Sequence, residues 1–169
     1  MVACIEALTE KSLENPRKVR PEMSTTQTRA YVPSTADLEA HDIVKKQFGE
    51  GSANLSFFDD FYREFTRQSP EIAAAFAKTD MKSQKEALRS GLAFLIMYSA
   101  GNSFANDKLD RLGKTHCRTG YNIQPKLYPL WIESLVRTVK KHVPNFDRAS
   151  ETAWRHVLQL GVNRIQSWY

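Results

Sequence analysis

The sequence predicts an all-α domain from about Thr35 to Tyr169, behind a mobile N-terminal extension, residues 1–34. Three observations carry that expectation. Beyond Thr35, apolar residues recur at the three- and four-residue spacing of a helix face. No alternating β-branched run of strand length interrupts them. Glycines and prolines are few after this point, and most fall between the periodic segments.

The extension holds Pro16, Pro21 and Pro33 among Ser, Thr and Glu, with no sustained apolar period. Only Ile5, Leu8 and Leu13 would share one side of a short helix there. Thr35 then caps a first helix with Ala40, Val44 and Phe48 on one face, and Gly49 and Gly51 are expected to end it. A second helix is expected from about Ser52–Asn54, its face carrying Leu55, Phe58, Tyr62 and Phe65 beside a stripe of Phe57 and Phe61. Such a helix is apolar over much of its circumference and must be deeply buried.

Pro70 suits the first position of a short helix through Ile72 to Phe76, because the N–H that proline lacks would be unpaired there anyway. Met81, Gln84, Leu88, Leu92 and Leu95 form the stripe of a long helix closing near Gly101. Leu109, Leu112 and His116 share a face of the next, and Gly120 is placed to terminate it. Pro125 opens a helix with Leu127, Trp131, Leu135 and Val139 inward; its end, Lys140-Lys141-His142, complements the helix dipole, and Pro144 breaks it. The last runs from about Asp147 with Trp154, Leu158, Val162 and Ile165 buried.

Composition narrows the function classes. With 41% hydrophobic and 25% charged residues, the chain is unlike a disordered tail or a membrane protein. The net charge is +5, but clusters such as Arg17-Lys18-Val19-Arg20 are flanked by Glu14 and Glu22, so no nucleic-acid partner is expected. No apolar run approaches a membrane span, and Glu6 interrupts the only stretch where a signal peptide would lie. A cytoplasmic protein without a membrane partner is expected. The two cysteines, Cys4 and Cys117, occupy different contexts, and no structural disulfide is expected between them.

Two polar residues lie on apolar faces, Gln84 and His116. Taken singly, each has a plain structural explanation. An amide bonds the backbone or reaches water at the rim, and a core histidine satisfies both ring nitrogens. Tyr62, among phenylalanines, has one too: a packed ring whose hydroxyl finds a carbonyl. Taken together, they describe an apolar interior with a few convergent polar groups, which is the description of a cofactor pocket. Of the four histidines, His142 sits at a basic helix end, His156 lies beside Arg155 and His41 beside Asp42, so His116 alone combines apolar neighbours with a core-facing helix.

At these residues the chain resembles the bacterial globins, especially the single-domain haemoglobins and the haem domains of flavohaemoglobins. Phe61-Tyr62-Arg63-Glu64-Phe65, then Ser69-Pro70-Glu71-Ile72 and Phe76, look like that family's second helix, third helix and haem-contacting phenylalanine. Gln84-Lys85-Glu86-Ala87-Leu88 is similar to its distal stretch, and His116 matches its proximal ligand. Leu112 to Gly120 also resembles the proximal region of globin-coupled sensors. The order and spacing hold over nearly everything after the extension. The chain departs from the pattern after Gly120, where Tyr121-Asn122-Ile123-Gln124 adds about two residues before the helix carrying Tyr128. It departs again in the last helix, whose end, Asn163 to Tyr169, lacks the family's glutamate and so speaks against peroxidase-like chemistry.

The resemblance implies a globin fold around haem b (iron protoporphyrin). The implied site has His116 on the iron, Tyr62 and Gln84 as distal hydrogen-bond donors, and Phe76 and Leu88 against the porphyrin and the ligand. The ring N–H of His116 would be held by Thr115 or by a carbonyl of the preceding turn. Lys85, Lys114 and Arg118 are candidate partners of the haem propionates. The implied function is reversible binding of a diatomic gas: oxygen, nitric oxide or carbon monoxide. The alternatives are nitric oxide dioxygenation with an external reductase, a haem-based gas sensor acting on a partner or output domain, and a haem-free interaction module. A homodimer is compatible with each.

Overall fold

Ser34, one residue before the expected cap, starts the first helix in the computed structural model, which describes residues 31–169. The short helix considered over Ile5–Leu13 lies outside the described residues. Seven helices follow one another: α1 (Thr35–Ser52), α2 (Phe57–Arg67), α3 (Pro70–Phe76), α4 (Met81–Ser99), α5 (Ser103–His116), α6 (Leu127–His142) and α7 (Arg148–Gln166). The described residues contain no strand, and none of their helices is long and apolar enough to cross a membrane. The all-α expectation is met.

Most helix starts are explained by their caps. Ser34 and Asp37 form a reciprocal capping box, the Ser34 backbone N–H donating to Asp37 Oδ2 at 2.7 Å and Asp37 N–H to Ser34 Oγ at 3.3 Å. Ser69 accepts from Ile72 N–H in front of Pro70, Asp80 from Lys82 N–H, Asn102 from Ala105 N–H and Asp147 from Ser150 N–H. These side chains satisfy donors that the first turn leaves orphaned.

Several boundaries differ from the expectation, each for a local reason. Gly49 and Gly51 do not end α1, which runs on to Ser52. Gly51 is instead a packing residue: a Cβ there would lie 3.2 Å from Val143 Cγ2 and 3.3 Å from Phe57 Cε2. Consequently α2 starts at Phe57, and Leu55 lies ahead of it, 95% exposed rather than on the buried face. Phe57, Phe58, Phe61, Tyr62 and Phe65 are all buried, as their periodicity requires. Helix α5 ends at His116, because Cys117 is extended; Gly120 belongs to the turn beyond, where a Cβ would fall 2.3 Å from Thr115 O. Pro125 sits in a turn before α6, whose first helical residue is Leu127.

Helix α7 is the centre of the packing. It contacts α1, α4, α5 and α6, while α2 packs on α6, α3 and α4. Trp154, Val157, Leu158 and Val162 of α7 meet Leu92 and Leu95 of α4 in one core. At Gly161 the α4–α7 contact is so close that a Cβ would land 1.8 Å from Leu95 Cδ2. This brings the inward faces of α4 and α5 to either side of the pocket described below.

A polar link fastens α1 to α7. Asp37 Oδ1 lies 2.5 Å from His156 Nε2, and its other oxygen accepts from the Ser34 hydroxyl at 2.6 Å. Burial opposes the charge on Asp37, but the hydrogen bonds from Ser34 and His156 outweigh it and hold the carboxyl well below the usual carboxylate range. A carboxyl with a depressed folded-state pKa stabilises the fold fully above its unfolded value, near ~3.9. That contribution is lost as pH falls below it. Asp37→Asn is therefore expected to cost on the order of 1–3 kcal/mol at neutral pH and to flatten the stability curve below about pH 4. Urea melts of parent and variant between pH 2 and 7 check this. Parallel curves through the acid limb would refute it.

Candidate functional site: an apolar cavity with one imidazole

The last turn of α5 carries His116. Its Nδ1 lies 2.9 Å from Leu112 O and 3.2 Å from Thr115 Oγ1, while the Thr115 hydroxyl donates to the same Leu112 carbonyl at 2.8 Å. A carbonyl can only accept, so Nδ1 bears the ring hydrogen and Nε2 bears the lone pair. Both acceptors considered from sequence are within reach of Nδ1, and the preceding-turn carbonyl is the nearer. Burial pushes the imidazole below its ordinary pKa, against the opposing effect of the Leu112 bond. The ring is therefore neutral at pH 7, the form in which imidazole binds a metal. Tyr121 meets it edge-on, with ring centroids 6.4 Å apart at 88°.

Helix α4 supplies Gln84 and, one turn later, Leu88. Gln84 is 8% exposed, and its Oε1 is buried with no hydrogen-bond partner. Tyr62 of α2 reaches the same place: its hydroxyl donates to the Gln84 backbone oxygen at 3.1 Å. Phe76, at the end of α3, packs against Tyr62 and Phe65 with centroids 5.4 and 6.0 Å away. His116, Gln84, Tyr62, Leu88 and Phe76 all line one cavity of about 280 Å³, otherwise walled mainly by aliphatic and aromatic side chains. That size suits a small molecule rather than a single trapped water.

The candidate cations lie elsewhere. Lys85 Nζ is 2.8 Å from Asp59 Oδ1, the Arg118 guanidinium lies over the Tyr169 ring at 4.8 Å, and the Lys114 ammonium lies over Trp168 at 4.6 Å. None of the three lines the cavity.

Two features escaped the sequence reading. Tyr121, Asn122, Ile123 and Gln124, read there only as a departure in loop length, form part of the cavity wall. Their backbone folds back under α5, with Tyr121 N–H on Thr115 O and Ile123 N–H on His116 O, and Asn122 adopts φ 51°. The available signal was an apolar pair, Tyr121 and Ile123, in an otherwise polar loop. The second is His142, which is not a simple basic helix end. Its side chain is 4% exposed, with Nε2 2.8 Å from Asp60 Oδ2, an oxygen it shares with Lys141. His116 is therefore not the only histidine turned inward, but it is the histidine that lines the apolar cavity.

The residues present fit an iron porphyrin. The cavity is apolar, it offers one neutral imidazole with a fixed tautomer, and it is lined by Gln84, whose amide oxygen the protein leaves unsatisfied. Among the described residues, no group of three or more His, Cys, Asp or Glu is placed to hold a metal. A lone imidazole suits a metal that brings its other ligands with it.

Fold and site together define an all-helical protein built around an apolar pocket with an imidazole in its wall. The Globin family model matches residues 59–165, from α2 through α7, and the chain belongs to the globin family. A crystal structure from Pseudomonas aeruginosa PAO1, of a protein described as structurally highly homologous to a human haemoglobin, is similar at 43% identity. It superposes with a TM-score of 0.74, and the match covers 77% of this chain and 98% of that one. No curated protein matches the sequence. The globin fold implies haem binding in general.

Proposed function

We propose that this globin holds haem b through His116 and binds oxygen or another diatomic gas reversibly beside Gln84. One observation carries the reading. A single apolar cavity is lined both by an imidazole, its Nδ1 hydrogen engaged by Leu112 O, and by Gln84, whose buried amide oxygen has no protein partner. A buried amide that the protein does not fully satisfy costs about 1–3 kcal/mol, and its retention is explained if the N–H end of the same amide serves a ligand in the cavity.

When bound, haem supplies a ferrous iron to which a diatomic gas can attach. His116 presents Nε2 to that iron, and Leu112 O fixes the ring's tautomer and direction. Phe76 and Leu88 keep the pocket dry, which strengthens any polar contact made inside it. The Gln84 amide carries N–H donors, and one turned toward the cavity would serve a gas with partial negative charge. The single hydroxyl hydrogen of Tyr62 is spent on the Gln84 backbone, so Tyr62 serves the ligand chiefly by holding α4 in place.

Optical spectra of the purified, haem-supplied protein test the reading. A five-coordinate ferrous form that gives a persistent oxygen complex is the expected result. A protein that takes up no haem, or one oxidised at once by oxygen, overturns it. Rapid nitrate formation from nitric oxide with a reductase present would replace gas carriage by dioxygenation, and a gas-dependent change of oligomeric state would replace it by sensing.

A further inference from the structure

Behind the wall that carries His116, the chain leaving α7 presses on α5 where no side chain separates them. A Cβ on Gly113 would fall 2.4 Å from Trp168 Cδ1 and 2.9 Å from Ile165 O. Trp168 is held there on two sides. Its indole N–H donates to Asp110 Oδ1 at 3.0 Å, and the Lys114 ammonium lies 4.6 Å from its ring centroid. Asp110 is itself fixed from α7 by a two-pronged pair with Arg164, at 2.6 and 2.7 Å, and both side chains are largely buried. Bidentate guanidinium–carboxylate pairs fix direction as well as distance.

The position of Gly113 gives this contact a consequence for the site. Gly113 directly follows Leu112, whose carbonyl holds His116 Nδ1, and its own carbonyl accepts from Cys117 N–H at 2.9 Å, just past the imidazole. The indole therefore bears on the backbone directly beside the carbonyl that holds the ring's tautomer. Asp110, Gly113 and Lys114 contact Trp168 on the turn preceding His116, while none of these contacts reaches the cavity.

We infer that Trp168 is a positioning residue for the proximal histidine. Through Gly113 and Asp110 it fixes the last turn of α5, and with it the direction in which His116 presents Nε2. The inference rests on the reading of His116 as the haem ligand. It goes beyond that reading by assigning the control of the bond's geometry to a residue outside the pocket.

Resonance Raman spectra of the ferrous, haem-loaded full chain test it through the iron–imidazole stretching band, with thermal melts recorded in parallel. Trp168→Ala is expected to shift and broaden the band. Trp168→Phe, which keeps an aromatic ring against Gly113 but loses the N–H on Asp110, should shift it less. Val143→Ala, a buried change away from α5 and the cavity, should lower the melting temperature and leave the band in place. Should Trp168→Ala fail to fold, Trp168→Phe decides. A parent-like band in whichever Trp168 variants fold, whatever their melting temperatures, overturns the inference. The underlying reading fails separately, if His116→Ala retains haem as the parent does.

Discussion

Replacing His116 by alanine is expected to abolish stable haem retention. Removing a group that merely orients a metal ligand costs roughly 10–100-fold in metal affinity, so deleting the ligand itself should cost more than ~100-fold. What remains is apolar grip from residues such as Phe76 and Leu88, which holds a flat ring without fixing its metal. The fold should survive, because the helix caps and the α7 core do not include the imidazole. Two measurements check this: transfer of haem to an acceptor protein, followed by absorbance, and far-ultraviolet circular dichroism of the same samples. Free imidazole should partly restore haem binding to the alanine variant, by entering the space left behind and donating the same kind of nitrogen. A variant that keeps its haem at the parent's rate would remove His116 from the site.

The fold was largely legible because helical periodicity reports faces. The stripes in α4, α6 and α7 mark residues that are buried in the structure, Leu92, Leu135 and Leu158 among them. Periodicity says little about ends, which are settled by single hydrogen bonds and close contacts. Gly51 looks like a terminator in sequence, yet it is small because Phe57 and Val143 close over it. Gly120 looks like a cap, yet its role is to let a turn pass under Thr115 O. The site divides in the same way. Gln84 and His116 stood out as polar residues on apolar stripes, and both line the cavity. The partners of Lys85 and Arg118 could not be read from position, because a long cationic side chain takes the nearest carboxylate or aromatic face that tertiary structure offers. Those partners, Asp59 and Tyr169, lie 26 and 51 positions away. The loop at 121–124 escaped because a loop that turns back into a cavity has no repeating pattern to betray it.

Gln84→Leu should separate ligand binding from stability, because the two respond with opposite signs. A hydrogen bond to a group bearing charge contributes about 1.5–3 kcal/mol. Its loss should therefore speed oxygen dissociation from the haem-loaded protein by roughly 10–100-fold, at about 1.4 kcal/mol per factor of ten. The less polar carbon monoxide depends less on a donor and should change little. Without haem the same substitution removes a buried amide oxygen that has no partner, so the apoprotein should be as stable as the parent or more so, by up to ~1 kcal/mol. Tyr62→Phe should give the reverse profile. Its hydroxyl donates to Gln84 O across the α2–α4 contact, so its removal should cost about 1 kcal/mol of stability and alter oxygen dissociation less than Gln84→Leu does. Stopped-flow displacement of oxygen by carbon monoxide, with urea melts of the apoproteins, reads both quantities. If Tyr62→Phe accelerates oxygen loss more than Gln84→Leu, the tyrosine must turn from the backbone to the ligand when gas binds, and Gln84 ceases to be the principal donor.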